Sequence, residues 1–254
     1  MIISIEDIGI NFGGVAALSN VSFVVNAESI KAIIGPNGAG KTTLFNLITG
    51  VYRPVSGRII YDGVDIAGKT PDAVAALGIT RTFQNIELFS NMTVLENVMV
   101  GRHVRSRSGF LSCALRLPIM VGEERRIQES AREHLEFVGL LEKADAMPLS
   151  LPLGHQRYLE IARALALEPR LLLLDEPAAG LDEKETEDLG ELIRRIRERG
   201  VTILLVEHDM SLTMEISDEI VVLDYGKKIA DGTPREIQYN KKVIDAYLGG
   251  GIGA

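Results

Sequence analysis

The run Gly35-Pro36-Asn37-Gly38-Ala39-Gly40-Lys41-Thr42 limits what this chain can fold into more than any other feature. It fills G-x-x-x-x-G-K-[ST] at every position, and its flanks suit it. Apolar Ile30 to Ile34 before it reads as a strand. Lys41 to Ile48 after it reads as a helix with Leu44, Leu47 and Ile48 on one face, and Gly50 stops it. Glycines let such a loop curl with its N–H groups inward, and the helix start adds partial positive charge, so the segment predicts a polyphosphate cradle. Lys41 would reach the β- and γ-phosphates, the Thr42 hydroxyl would ligate Mg²⁺, and Thr43 stands next in line. The plain alternative is a glycine-rich turn that binds nothing, and the strand and helix in place weigh against it.

A second feature makes the first specific. Leu171 to Leu174 is an apolar strand ending in Asp175-Glu176, which puts two carboxylates at the end of a buried strand, where open α/β sheets bind ligands. Asp175 would hold Mg²⁺ and Glu176 would be the general base for an attacking water. Val201 to Val206 is a second non-alternating run, and both suit central parallel strands covered on two faces. Between them Leu189, Leu192, Ile193 and Ile196 recur at helical spacing up to Gly200. Near the start, Ile3, Ile5 and Ile8, Val21 to Val25, and Arg58 to Tyr61 with Val64 to Ile66 read as strands, with turns at Gly13-Gly14 and Asp62-Gly63. Gly78 to Leu149 reads as a mostly helical insertion, in which Ile127, Ala131, Leu135 and Val138 share one face over Glu124 to Val138. Gly249 to Ala254 reads as a frayed tail.

At 254 residues, 46% hydrophobic and 24% charged, the chain has the composition of a globular protein. Its net charge of −8 argues against a broad nucleic-acid surface, while one bound polyphosphate needs only a local positive site. The single cysteine, Cys113, excludes an internal disulfide and fits a reducing cytosol, where it serves as a small apolar side chain. Met1-Ile2-Ile3 leads into Glu6-Asp7 with no basic segment, so no secretory leader is expected. No run of about 18 apolar residues is present. The stretch Gly109 to Val121 is broken by Arg116 and Pro118, so any membrane role must come through partners.

These features define a phosphate-loop NTPase, leaving kinase and GTPase open. Further segments resemble the ABC (ATP-binding cassette) ATPases in that family's order. Leu151-Pro152-Leu153-Gly154-His155-Gln156-Arg157 resembles the signature motif, and Gln84 in Thr82-Phe83-Gln84-Asn85 looks like the Q-loop glutamine. Asp182 in Ala179-Gly180-Leu181-Asp182 looks like the D-loop, His208 like the switch histidine, and Phe12 like the aromatic that stacks on adenine. The resemblance covers roughly Ile2 to Leu248. It implies one α/β domain: a nucleotide-binding core (residues 1–83 and 168–254) with a mostly parallel sheet and an N-terminal antiparallel β subdomain, and a helical signature subdomain (84–167). It also implies ATP and Mg²⁺ as cofactors, with Gln84 sensing the metal and His208 holding the γ-phosphate. A second ATPase subunit would pack head to tail, so that Gly154 of one meets the ATP on the other's phosphate loop. The signature departs from the family at Pro152, where serine is usual, and at His155, where glutamine is usual.

Arg81-Thr82-Phe83-Gln84-Asn85, Leu88-Phe89, Met92 to Val98, the extra stretch Gly101 to Glu124, Asp175 to Leu181 and Ala246-Tyr247-Leu248-Gly249 resemble the ATPases of branched-chain amino-acid importers. That implies integral membrane permease subunits as partners and, indirectly, a periplasmic or extracellular solute-binding protein. It also implies a peripheral place on the cytoplasmic face of the cell membrane. Arg102 to Arg107 reads as a solvated basic loop, and Phe110 to Met120 as packed against its own lobe. An ABC ATPase with another solute or a lipid as cargo, a soluble ABC ATPase acting on DNA or ribosomes, and a non-catalytic ATP-binding subunit remain the alternatives.

Overall fold

The computed structural model describes residues 1–82, 84, 86–103 and 118–249. Phe83, Asn85, Cys113, the arginines at 105 and 107, the apolar stretch from Phe110 to Leu117 and the tail from Gly250 on lie outside the described residues. Two compact units form, one from Met1–Arg81 with the chain from Arg170 on, the other from Thr82–Pro169.

The first unit carries two sheets. β1 (Ile3–Phe12), β2 (Val15–Val25), β4 (Ser56–Tyr61) and β5 (Val64–Asp65) form an antiparallel sheet in the order β2-β1-β4-β5. The second has the order β10-β9-β3-β8-β7-β6, from β3 (Ile30–Ile34), β6 (Ile79–Arg81), β7 (Leu171–Asp175), β8 (Thr202–Val206), β9 (Glu219–Asp224) and β10 (Lys227–Gly232). Its pairings are parallel except β9–β10. Every residue of β3, β7 and β8 is buried, which is why these strands read as unbroken apolar runs instead of alternating ones. Their neighbours β9 and β10 were not legible as strands, and β6 falls within the stretch expected to be helical insertion. β6 is a three-residue edge strand held by pairing to β7.

One core runs through both sheets and α1 (Lys41–Ile48), from Ile3, Ile5 and Ile8 through Leu44, Phe45 and Ile48 to Leu173, Leu204 and Val221. Lys31 is a charged residue buried in mid-strand β3. The Lys31 ammonium donates to the Val24 carbonyl (2.9 Å) and pairs with Asp231 (2.9 Å) and Glu219 (3.2 Å). Helices α2 (Pro71–Ala76), α6 (Glu183–Glu198), α7 (Met210–Ile216), α8 (Pro234–Gln238) and α9 (Lys241–Gly249) complete the unit. α6 buries Leu189, Leu192, Ile193 and Ile196 as its spacing predicted.

The second unit holds α3 (Val94–His103), α4 (Pro118–Phe137) and α5 (Leu153–Leu165). α4 starts six residues ahead of the expected Glu124, since a proline is tolerated in a helix's first turn. Ile127, Ala131, Leu135 and Val138 are buried, as the periodicity requires. No described helix is long and apolar enough to cross a membrane.

Candidate functional site

The loop from Gly35 to Gly40 joins the buried end of β3 to α1. Two of its glycines are dictated by packing as well as curvature. At Gly35 (φ +152°) a Cβ would lie 2.0 Å from the Leu223 carbonyl oxygen, and at Gly40 (φ +103°) one would lie 2.8 Å from that of Ala17. The first i→i−4 bond of α1 runs from Leu44 N–H to Gly40 (2.9 Å), and no side chain caps the helix. The N–H groups of Lys41, Thr42 and Thr43 therefore precede the helix's own bonding and face the loop mouth. The Lys41 ammonium folds over the loop, donating to the carbonyls of Gly35 (2.7 Å) and Pro36 (3.1 Å). Burial pulls its pKa below the ordinary 10.5, and the charges of Glu176 and Asp175 push back. Pro36 is half-buried, Asn37, Gly38 and Thr42 are exposed, and Ala39 is buried.

The carboxylates arrive from two strands away. Asp175 ends β7 with its side chain 1% exposed, paired with Arg81 at the end of β6 (2.5 Å). Arg81 also donates to Asn46 of α1 (2.6 Å) and lies over the Phe45 ring. The next residue, Glu176, adopts φ +49°, unusual outside glycine, and its N–H donates to Val206 in β8 (2.8 Å). That kink turns its carboxylate to His208 Nε2 at 2.9 Å. Beneath both sits Glu207, 3% exposed. Its carboxylate accepts from the N–H groups of Ala178 (2.7 Å), His208 (2.8 Å) and Asp209 (3.3 Å), so it ties the loop after β7 to the loop after β8. Burial raises its pKa from 4.5, and the three N–H bonds offset part of that rise.

The contacts thus gather Lys41, Asp175, Glu176 and His208 into one field of charge at the carboxyl ends of β3, β7 and β8. Phe12 lies elsewhere on the same unit, 44% exposed and edge-on to Tyr52 with ring centroids 5.2 Å apart. Asp182 uses its carboxylate as the N-cap of α6, in a reciprocal capping box with Glu185. Gln84 and Gly154 belong to the second unit. Gln84 is exposed and its carbonyl accepts from Arg157 (2.9 Å). Gly154 is buried as the second residue of α5, inside the helix and not before it. Pro152 is that helix's N-cap and offers no side-chain cap.

The donor set fits Mg²⁺. A buried strand-end carboxylate and a helix-start hydroxyl are hard oxygen ligands, the kind this cation takes beside water and phosphate oxygens. The roles of Arg81, Glu207 and Tyr52 gave no sequence signal, because each acts through a neighbour distant along the chain.

The family described as ABC transporter matches residues 18–179, a span that includes the phosphate loop, Gly154 and both carboxylates. The chain belongs to the ABC transporter family. A second match, described as branched-chain amino acid ATP-binding cassette transporter, covers residues 227–252 of this cassette. The cassette is 47% identical over 249 residues to the Pseudomonas aeruginosa high-affinity branched-chain amino acid transport ATP-binding protein BraF, covering 98% of each chain. A nucleotide-free ATP-binding cassette from an ABC transporter superposes with a TM-score of 0.86 at 33% identity, covering 100% of this chain and 99% of that one. A dimeric post-hydrolysis cassette bound to ADP and Pi gives 0.77 at 26% identity, covering 92% and 99%. The cassette is an ATPase with a phosphate-loop α/β fold.

Proposed function

We propose that the cassette powers a membrane importer of branched-chain amino acids by hydrolysing MgATP at the site built from Lys41, Asp175, Glu176 and His208. The observation that carries the catalytic reading is the Glu176–His208 pair beside the phosphate loop. The substrate class is supported by the likeness to BraF over nearly the whole chain.

The loop N–H groups and Lys41 would neutralise the β- and γ-phosphates. Thr42 and Asp175 would hold Mg²⁺, which screens the phosphate charge when bound. Glu176 would take a proton from the water whose oxygen attacks the γ-phosphorus as the bond to the β-phosphate oxygen breaks. His208 orients Glu176 and would hold the γ-phosphate in line. The half-exposed Phe12–Tyr52 pair offers a ring face to adenine. Two cassettes would stack head to tail, each supplying Gly154 and the start of α5 to the other's nucleotide; the relative bound to ADP and Pi is itself dimeric, which supports pairing as such. Asp182, at the N-cap of α6, would stand near that interface. Permease subunits would hold the cassette at the cytoplasmic face of the membrane, and a solute-binding protein would deliver the cargo.

Glu176→Gln tests the catalytic reading. It should keep ATP binding and lose about 10²–10⁴-fold in turnover, with an ATP-bound dimer accumulating on gel filtration. Parental turnover would remove Glu176 from its role. In a reconstituted complex, leucine, isoleucine or valine delivered by the binding protein should raise turnover, and stimulation by an unrelated solute alone would overturn the substrate assignment.

A further inference from the structure

The carboxylate expected to hold Mg²⁺ is matched by a permanent cation from the chain itself. Asp175 is 1% exposed at the end of β7, and the Arg81 guanidinium, itself 8% exposed, meets its Oδ2 at 2.5 Å. A carboxylate so deep in the protein is costly unless a positive group accompanies it. Arginine cannot give up that role, because its guanidinium is always charged. Three contacts fix the group in place. One nitrogen meets Asp175, another donates to the Asn46 side-chain oxygen (2.6 Å), and the guanidinium carbon lies 5.4 Å from the centroid of the Phe45 ring. Asn46 and Phe45 belong to α1 and Arg81 ends β6, so the cation is braced between two elements that frame the site. The adjacent carboxylate is engaged elsewhere, Glu176 giving an oxygen to His208 (2.9 Å).

We infer that Arg81 is a positioning residue that reserves Asp175 for metal arriving with nucleotide. It matches the charge of the carboxylate, so a divalent cation alone is not held there and binds only when phosphate oxygens supply further negative charge. The inference rests on the reading that Asp175 serves the Mg²⁺ of MgATP. Mg²⁺ sheds water reluctantly and is bound by one or two carboxylates together with substrate phosphates. A paired Asp175 offers it little net charge, whereas a polyphosphate offers several. The guanidinium also repels a divalent ion brought to the same carboxylate. One full charge at about 4–6 Å changes the proton affinity of a carboxylate by about 10- to 10³-fold, and a divalent ion feels at least the lower end of that range. Metal and nucleotide therefore enter the cassette as a unit.

The test uses the full chain without nucleotide and Mn²⁺ alone as the probe, the free ion being counted by its EPR signal. Parent and Asp175→Asn should bind Mn²⁺ alike, because a matched carboxylate adds nothing for the free ion. Binding about tenfold or more tighter in the parent would overturn the inference, and this comparison needs no change at Arg81. Arg81→Gln removes the charge and should gain a Mn²⁺ site about 10- to 10³-fold tighter than the parent's binding. The gain should also raise that variant's melting temperature as Mn²⁺ is added, a readout that serves even if the variant is unstable. Adding Asp175→Asn to Arg81→Gln should remove the new site, and Arg81→Lys, which keeps the charge, should bind as the parent does. Parental Mn²⁺ binding in Arg81→Gln would overturn the inference, as would a gain that survives the loss of the Asp175 carboxylate. MgATP turnover of Asp175→Asn checks the metal reading separately. Parental turnover there would remove Asp175 from the metal whatever Arg81 does, and the inference would fall with that reading.

Discussion

Replacing Glu207 by glutamine separates what holds this site together from what performs its chemistry. The carboxylate accepts three backbone N–H bonds, from Ala178 on one oxygen and from His208 and Asp209 on the other. A glutamine has a single carbonyl oxygen. Turned toward His208 and Asp209 it saves two bonds and sets its own NH₂ against the Ala178 N–H; turned the other way it saves one. The variant therefore lets go of the Ala178 peptide, two residues beyond Glu176. Stability should respond little, because two effects oppose each other. The lost bond to a charged acceptor costs about 1.5–3 kcal/mol, while removing a buried charge returns a similar amount. The raised pKa of Glu207 says that in the parent burial outweighs its N–H bonds. The sign follows from linkage: the folded state holds this proton more tightly than the unfolded one. The contribution of Glu207 to the parent's stability is thus fully present below the ordinary 4.5 and is lost as pH rises through the raised value. Glu207→Gln should lack that slope and melt within about 1.5 kcal/mol of the parent near neutral pH. Turnover should fall by about 10- to 100-fold with KM for ATP nearly unchanged, since a displacement of up to an ångström at a base costs about that much. Steady-state ATPase assays beside melts across pH measure both. A folded variant with kcat within about twofold of the parent, far short of that loss, would refute the idea that Glu207 positions Glu176 and His208.

Pro152→Ser gives α5 a side-chain N-cap that it lacks, worth about 0.5–2 kcal/mol, against the entropy that proline saves in the unfolded chain. Melting should shift up only slightly, and ATP-driven dimerisation should change by less than about tenfold. Gly154→Asp should spare nucleotide binding and abolish turnover, and in mixed dimers one such subunit should disable the ATP on its partner's Lys41. Loss confined to its own Lys41 site would refute the head-to-tail arrangement. Lys31→Met should destabilise the fold by about 1.5–3 kcal/mol, because the Val24 carbonyl loses its charged donor and Glu219 and Asp231 lose their buried cation, Asp231 keeping Lys228. A chemical melt within about 1 kcal/mol of the parent would show that these carboxylates find water instead.

What could be read in the sequence was local. The phosphate loop announces itself because one backbone path demands glycines at fixed offsets, and Asp175-Glu176 because a buried strand must end where its charges begin. The residues that hold them could not be read. Arg81 meets Asp175 across 94 positions, and Glu207 meets Ala178 across 29, so neither pairing exists until β6, β7 and β8 lie side by side. β6 itself is too short to show a period and is a strand only because β7 supplies its partners. The hairpin of β9 and β10 turns at Tyr225-Gly226, whose positive φ values no standard turn pair signalled. Asp182 shows the opposite case: its offset from Glu185 spells a capping box, and reading it only by its place in a family's order passed over that local role.

The buried Lys31 also settles a question of alignment. A strand such as Ile30-Lys31-Ala32-Ile33-Ile34, apolar on both faces and paired in parallel on both edges, would lose little if it slid one position along its neighbours. Such a slide would carry the ammonium to the opposite face of the sheet, away from Val24, Glu219 and Asp231 and into hydrocarbon. One cation therefore works as an indexing pin for the central strand. The start of the phosphate loop is counted from that strand's last residue, and Asp175 and His208 are counted from the strands beside it. The alignment of nucleotide and base is thus set by a side chain on the far side of the core, one that touches neither.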